Sequence, residues 1–257
     1  MTRPVRLGVL TPSSNTVLEP VTSAIVAELP GVSAHFARFR VTEISAGARS
    51  TAQFELEPVL AAARLLVDAR VDAIVWSGTS AGWLGIERDA ALIEAIERET
   101  GVRAGAAVSA IDALLAAFTA TRIGLVTPYV DEVQSRIVDN WAARGISCVA
   151  ERHLGLSVNF EFATVTPARL EAMIEAVAVE GAEAVVVLCT NLDGARAAVR
   201  AENALGLPVI DSTAAAAWRG LRLAGVDTVG LSSGSVATSG GSRGGGSSGW
   251  GRLFSIG

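Results

Sequence analysis

The sequence predicts an α/β fold of two pseudo-symmetric lobes, each with a parallel sheet, facing each other across a cleft. Three observations carry that prediction. Short β-branched runs alternate with alanine- and leucine-rich segments of helical period, the pattern of parallel α/β sheets. The first strand set is then repeated: Arg6–Pro12 (RLGVLTP) returns as Arg122–Pro128 (RIGLVTP), and Val71–Ser80 (VDAIVWSGTS) aligns with Ala182–Asn191 (AEAVVVLCTN). Finally, Gly101–Ala106 (GVRAGA) matches Gly206–Asp211 (GLPVID), each followed by an alanine-rich helix. A spacing of roughly a hundred residues is too long for a solenoid and implies two similar lobes instead.

In chain order, the first set of strands is expected near Val5–Leu10, Val32–Phe39, Ala73–Trp76 and Arg103–Ala107. Helices are expected near Val17–Glu28, Glu55–Asp68, Asp89–Thr100 and Ala110–Phe118. The second set of strands falls near Ile123–Val126, Ile146–Ala150, Ala184–Leu188 and Pro208–Ile210. Its helices fall near Val130–Arg144, Pro167–Glu180, Gly194–Leu205 and Ala214–Leu223. The first lobe thus takes residues 1–112 plus 211–231, and the second takes 113–210. From 232 to 257 the composition turns Gly/Ser-rich without apolar period, so a flexible tail with no catalytic role is expected. Its alternatives are an altered end, or an arm docked by Trp250, Leu253 and Phe254.

Composition removes several classes of function. The 257 residues suffice for a sizeable core, and half are hydrophobic. Yet no apolar run exceeds the six residues of Ala184–Cys189, against the about eighteen a membrane helix needs. The N-terminus lacks a secretory h-region and cleavage site, so a cytoplasmic location without membrane contact is expected. With net charge −5 and scattered basic residues, nucleic acid is not an expected partner. The cysteines Cys148 and Cys189 cannot form a disulfide framework, and His35 and His153 are too isolated for a metal site. No glycine-rich phosphate loop joins a strand to a helix, so no cofactor is expected. Chemistry must come from side chains and backbone amides.

In parallel α/β sheets, ligands bind beyond the carboxyl ends of the strands. Those ends carry Thr11–Asn15, Ser77–Ser80, Thr127–Tyr129 and Cys189–Asn191, which a cleft between the lobes would bring together. Cys189 is the candidate catalytic thiol. Helix N-termini and amides near it are expected to lower its pKa, although a strand-end cysteine is also a common packing residue. Its pseudo-symmetric partner is Gly78, so one face of the cleft carries a thiol and the other no side chain. A symmetric two-thiol mechanism is therefore disfavoured. Thr79, Ser80 and Tyr129 offer hydroxyls that would hold a carboxylate as it takes on enediolate charge. Helix capping or aromatic packing explains the same residues equally simply. Asn15, Asn159, Thr190 and Asn191 complete the candidate substrate-binding set, with Asn15 equally suited to capping a helix. Asp211 also reads as a cap.

The strings LTPSSNTVLEP (10–20), GTS (78–80), VTPY (126–129) and CTNLDG (189–194) together resemble the aspartate/glutamate racemase superfamily. The nearest branch is that of the maleate cis–trans isomerases and arylmalonate decarboxylases. The likeness runs from about residue 5 to 230. It implies two facing Rossmann-like lobes, no metal or organic cofactor, a small carboxylate or dicarboxylate substrate, and a chain free to form a homo-oligomer. Racemases and isomerases of this kind have cysteines at the ends of both equivalent strands; here Gly78 stands at the first. The arylmalonate decarboxylases are similar in having Gly-Thr-Ser at the first site and one cysteine at the second. By that resemblance Thr79, Ser80, Tyr129 and the Thr190 backbone form a dioxyanion pocket, with Cys189 as proton donor. The alternatives are a maleate-isomerase, racemase or ectoine-utilisation type of enzyme with its first cysteine replaced, and a non-catalytic carboxylate-binding relative.

Overall fold

The structure, a computed structural model, describes residues 3–45, 47, 52–232 and 249–257. It contains two four-stranded, fully parallel sheets. The first comprises β1 (Val5–Pro12), β2 (Val32–Phe39), β3 (Ala73–Trp76) and β4 (Ala104–Ala106), in the order β2-β1-β3-β4. The second comprises β5 (Arg122–Thr127), β6 (Ser147–His153), β7 (Ala184–Val187) and β8 (Val209–Asp211), in the equivalent order β6-β5-β7-β8. Register repeats with the sequence: Leu7 pairs with Ala73 in one sheet as Ile123 pairs with Ala184 in the other. All four residues of β3 and of β7 are buried, as expected of interior parallel strands covered on both faces.

The helices are α1 (Leu18–Ala27), α2 (Leu56–Asp68), α3 (Ala81–Leu84), α4 (Glu87–Thr100) and α5 (Ala107–Ala117) in the first half. The second half supplies α6 (Asp131–Ala142), α7 (Pro167–Val177), α8 (Ala195–Leu205) and α9 (Ser212–Leu223). Local signals set their ends. Thr166 accepts a hydrogen bond from the Arg169 amide, with Pro167 opening α7. Gly101 and Gly206 close α4 and α8 at φ 69° and 72°, the left-handed conformation glycine adopts without strain. Helix α9 follows the last strand of the second sheet but packs on β3, β4 and α5, crossing back to the first layer.

Three features differ from the sequence reading. The single turn α3 was not expected, because AGWLGIE shows no helical period. Helix α5 starts three residues early, at Ala107 rather than Ala110. The buried Asp89 carboxylate draws the Ser109 amide to 3.0 Å and holds that first turn. Third, residues 249–257 follow the alternative of a docked arm rather than a flexible tail, while 233–248 lie outside the described residues. Trp250, Leu253 and Phe254 are buried. Trp250 Nε1 donates to Glu28 at the end of α1 (2.7 Å), while the Arg196 guanidinium of α8 lies 3.4 Å from its ring centroid. Apolar burial plus these contacts outweighs the ordering cost that composition alone suggested.

Among the described residues, no helix is long and apolar enough to cross a membrane. Nor is there, among them, a cluster of His, Cys, Asp and Glu able to hold a metal ion.

Candidate active site

The loops after β1, β3, β5 and β7 meet. Where they do, Gly78, Thr79, Ser80, Tyr129, Asn159, Cys189 and Thr190 line a small cavity. Thr79 Oγ1 lies 2.7 Å from the Tyr129 hydroxyl, so residues fifty apart in sequence form one hydroxyl pair. Thr190 Oγ1 donates to the Ser77 carbonyl at 3.1 Å, tying the two copied loops together. Tyr129 is buried against Trp83 and Phe162, which fixes its ring and directs the hydroxyl. Burial holds its proton in place, well above the ordinary phenol range.

Two of the expected residues do not line the cavity. Asn15 Oδ1 accepts the Val17 and Leu18 amides at 2.9 Å, capping the start of α1, and its Nδ2 donates to Thr190 Oγ1 at 3.2 Å. Asn191 Oδ1 accepts the Thr16 amide at 2.9 Å, and its Nδ2 donates to the Asn159 carbonyl at 2.6 Å. Both amides are occupied in fastening one lobe to the other behind the cavity. Asn159, which does line it, donates to Ser14 Oγ at 2.7 Å. Asp211 is the cap expected: its Oδ1 accepts the Ala214 amide at 2.9 Å, while Oδ2 is buried without a partner.

Cys189 is buried, with its sulfur 3.4 Å from the Asn191 amide and hydrogen-bonded to the Tyr129 side chain. The expectation of a lowered pKa is corrected: burial pushes the thiol up to about 12. Amide and phenol hydrogen bonds favour the thiolate, but desolvation of a full charge is the larger effect. Burial thus favours the protonated thiol over the thiolate.

The carboxyl of Asp211 is likewise pushed up by burial, to about 7. An unfolded aspartate titrates near about 3.9, so the native state binds this proton more tightly, and stability is lost as pH rises between those values. Asp211→Asn keeps the capping oxygen and removes the titration. We expect the fall in Tm between pH 5 and pH 8 to shrink in that variant; an unchanged slope in thermal melts would refute the assignment.

The rest of the cavity wall is apolar: Pro12 and Trp76 belong to the repeated strings, whereas Val41, Ile44, Phe54 and Trp83 lie outside them. Trp76 is the informative one. A Cβ placed on Gly78 would lie 2.0 Å from Trp76 Cζ2 and 2.4 Å from Cη2. The indole thus fills the space a side chain at position 78 would need, and Phe39 backs it at 5.1 Å between centroids. A larger space shares Trp76, Ser80 and Phe54 with this cavity and is walled otherwise by residues that include Phe39, Leu56, Val59 and Leu92. It lacks Cys189, Thr79 and Tyr129, so the smaller cavity is the candidate site.

A family model described as arylmalonate decarboxylase matches residues 17–237, most of the chain. The chain belongs to the arylmalonate decarboxylase family. It lies in the branch of the aspartate/glutamate racemase superfamily that also holds the maleate isomerases. The maleate isomerase of Alcaligenes faecalis is 25% identical over 239 residues, covering 87% of this chain and 92% of that one. The arylmalonate decarboxylase of Bordetella bronchiseptica is 29% identical over 173 residues, 66% of this chain and 72% of that one. Among solved structures, the Nocardia farcinica maleate cis–trans isomerase with a covalently bound succinylcysteine intermediate superposes with a TM-score of 0.80. At 22% identity, covering 88% of this chain and 94% of that one, that match speaks to the fold alone. Membership of the arylmalonate decarboxylase family makes this chain an isomerase- or decarboxylase-type enzyme.

Proposed function

We propose that this arylmalonate decarboxylase family member decarboxylates a small malonate-like dicarboxylate through an enediolate that Cys189 protonates on one face. One observation carries the reading: a single thiol just beyond β7 shares its cavity with the Thr79–Tyr129 hydroxyl pair and with side-chain-free Gly78.

The chemistry follows from the residues. One carboxylate leaves as CO2, and the electrons of the broken C–C bond pass into the carboxylate that stays, giving an enediolate. Its two oxygens carry the new charge, and the Thr79, Ser80 and Tyr129 hydroxyls with the Thr190 amide hold it. Such prearranged donors are worth most in a water-poor cavity. The Cys189 proton then passes to the α-carbon, and the thiolate left behind recovers a proton from solvent. A thiol held near 12 keeps its proton until a base as strong as the enediolate carbon forms. A maleate-type isomerase would instead need a nucleophile at the double bond, and the Gly78 face supplies no side chain for that role.

Incubation with substituted malonates and with maleate tests the reading. CO2 release and a monocarboxylic product enriched in one enantiomer are expected, with no fumarate from maleate. Fumarate formation alongside intact malonates would overturn the proposal in favour of the isomerase.

A further inference from the structure

Trp83 stands in the wall of the Cys189 cavity, in the single turn α3 that follows Ser80. Its amide bonds back to the Ser80 carbonyl at 3.2 Å. The ring is 4% exposed, tilted on Tyr129 at 5.2 Å between centroids and edge-on to Phe54 at 5.8 Å. Neighbours on two sides therefore fix the indole. Its Nε1–H nevertheless has no hydrogen-bond partner among the described residues.

Three other buried polar side-chain atoms share that condition among the described residues: Thr11 Oγ1, Ser77 Oγ and Asp211 Oδ2. Each has a way out that an indole lacks. A hydroxyl rotates and can accept as well as donate, and a carboxyl can take up a proton. The indole N–H only donates, so it is left unsatisfied among the described residues, on a side chain that lines the cavity.

We propose that Trp83 Nε1–H is an additional donor to the retained carboxylate of the substrate, the group that becomes the enediolate. The inference builds on the decarboxylase reading above. An indole does not release its proton under these conditions, so it stabilises the developing negative charge without quenching it. Carbon protonation is then left to Cys189. A fixed donor in a dry cavity strengthens as charge builds on its acceptor, so the effect falls on kcat more than on KM.

The test replaces Trp83 by benzothienylalanine, which keeps the ring volume but has sulfur in place of N–H, and in parallel by Phe. Thermal melts with and without malonate or maleate are compared with kcat and KM on substituted malonates. In the isostere, the Tm of the free protein should stay within about 2 °C or rise, because an unpaired buried donor has been removed. The carboxylate-induced rise in Tm should at least halve, and kcat should fall roughly 10- to 100-fold with a smaller change in KM. Trp83→Phe should show the same loss of carboxylate response.

A carboxylate response and kcat within twofold of the parent would overturn the proposal, leaving Trp83 a packing residue. So would a drop in free-protein Tm beyond about 5 °C in the isostere, which would reveal a structural partner for the N–H. The binding readout does not require turnover. If the parent is stabilised by malonate yet decarboxylates nothing, and the isostere loses that stabilisation, the decarboxylase reading fails while the Trp83 assignment stands.

Discussion

Replacing Cys189 by Ala is expected to lower turnover of substituted malonates by about 10³- to 10⁴-fold, at the upper end of what one general acid contributes. The effect should be chemical rather than structural. Cys189→Ala removes one buried sulfur, a change that costs only about 1–2 kcal/mol where the neighbours are well packed. Here those neighbours are Asn191, whose side chain is held by Thr16 and Asn159 although its amide loses the sulfur, and Tyr129, held by Thr79. Stabilisation by malonate should therefore persist while CO2 release stops. Steady-state kinetics together with a thermal melt separates the two, and a variant keeping more than a tenth of parental kcat would remove Cys189 from the mechanism. The raised thiol pKa adds a pH signature. Alkylation of the native thiol should not accelerate through the free-cysteine range near about 8.5. It should rise only in strongly alkaline solution, because burial keeps the proton on sulfur.

Gly78→Cys, which would restore a thiol on both faces, is expected to destabilise the protein and to leave the product unracemised. The reason is Trp76. A Cβ at position 78 would sit inside the indole, 2.0 Å from Cζ2, and Phe39 supports that ring from behind. Overpacking of this kind costs roughly 1–3 kcal/mol, or about 3–10 °C in Tm for a chain of this size. Trp76→Leu should relieve the conflict. In that background the cost of Gly78→Cys should fall to less than half, a non-additivity that contacting residues show and distant ones do not. Equal destabilisation by Gly78→Cys in both backgrounds, read from paired melts, would show that Trp76 is not the obstacle.

The copied strings made the two-lobe architecture legible because parallel sheets impose simple rules. Strands buried on both faces read as apolar runs, and the polar residues just beyond them mark the ligand-binding edge. Thr79, Ser80, Tyr129, Thr190 and Cys189 were found in that way, and the cavity contains all five. The rest was hidden because no local pattern encodes it. Asn15 and Asn191 carry the same amide as Asn159, and only their hydrogen bonds show them spent on joining the lobes. Trp76 and Trp83 look like ordinary core aromatics in sequence, and the docked end at Trp250 follows a stretch whose composition reads as linker.

By itself, then, the sequence determined the repeated α/β plan and the asymmetry between Cys189 and Gly78, because both follow from residue order along equivalent strands. Tertiary structure decided what those positions mean chemically. It buried the thiol deeply enough to hold its proton, and it filled the space beside Gly78 with Trp76. It also left the Trp83 N–H waiting for an acceptor. Desolvation, steric exclusion and an unpaired donor are properties of what surrounds a residue in space, and elements far apart in the chain supply those surroundings.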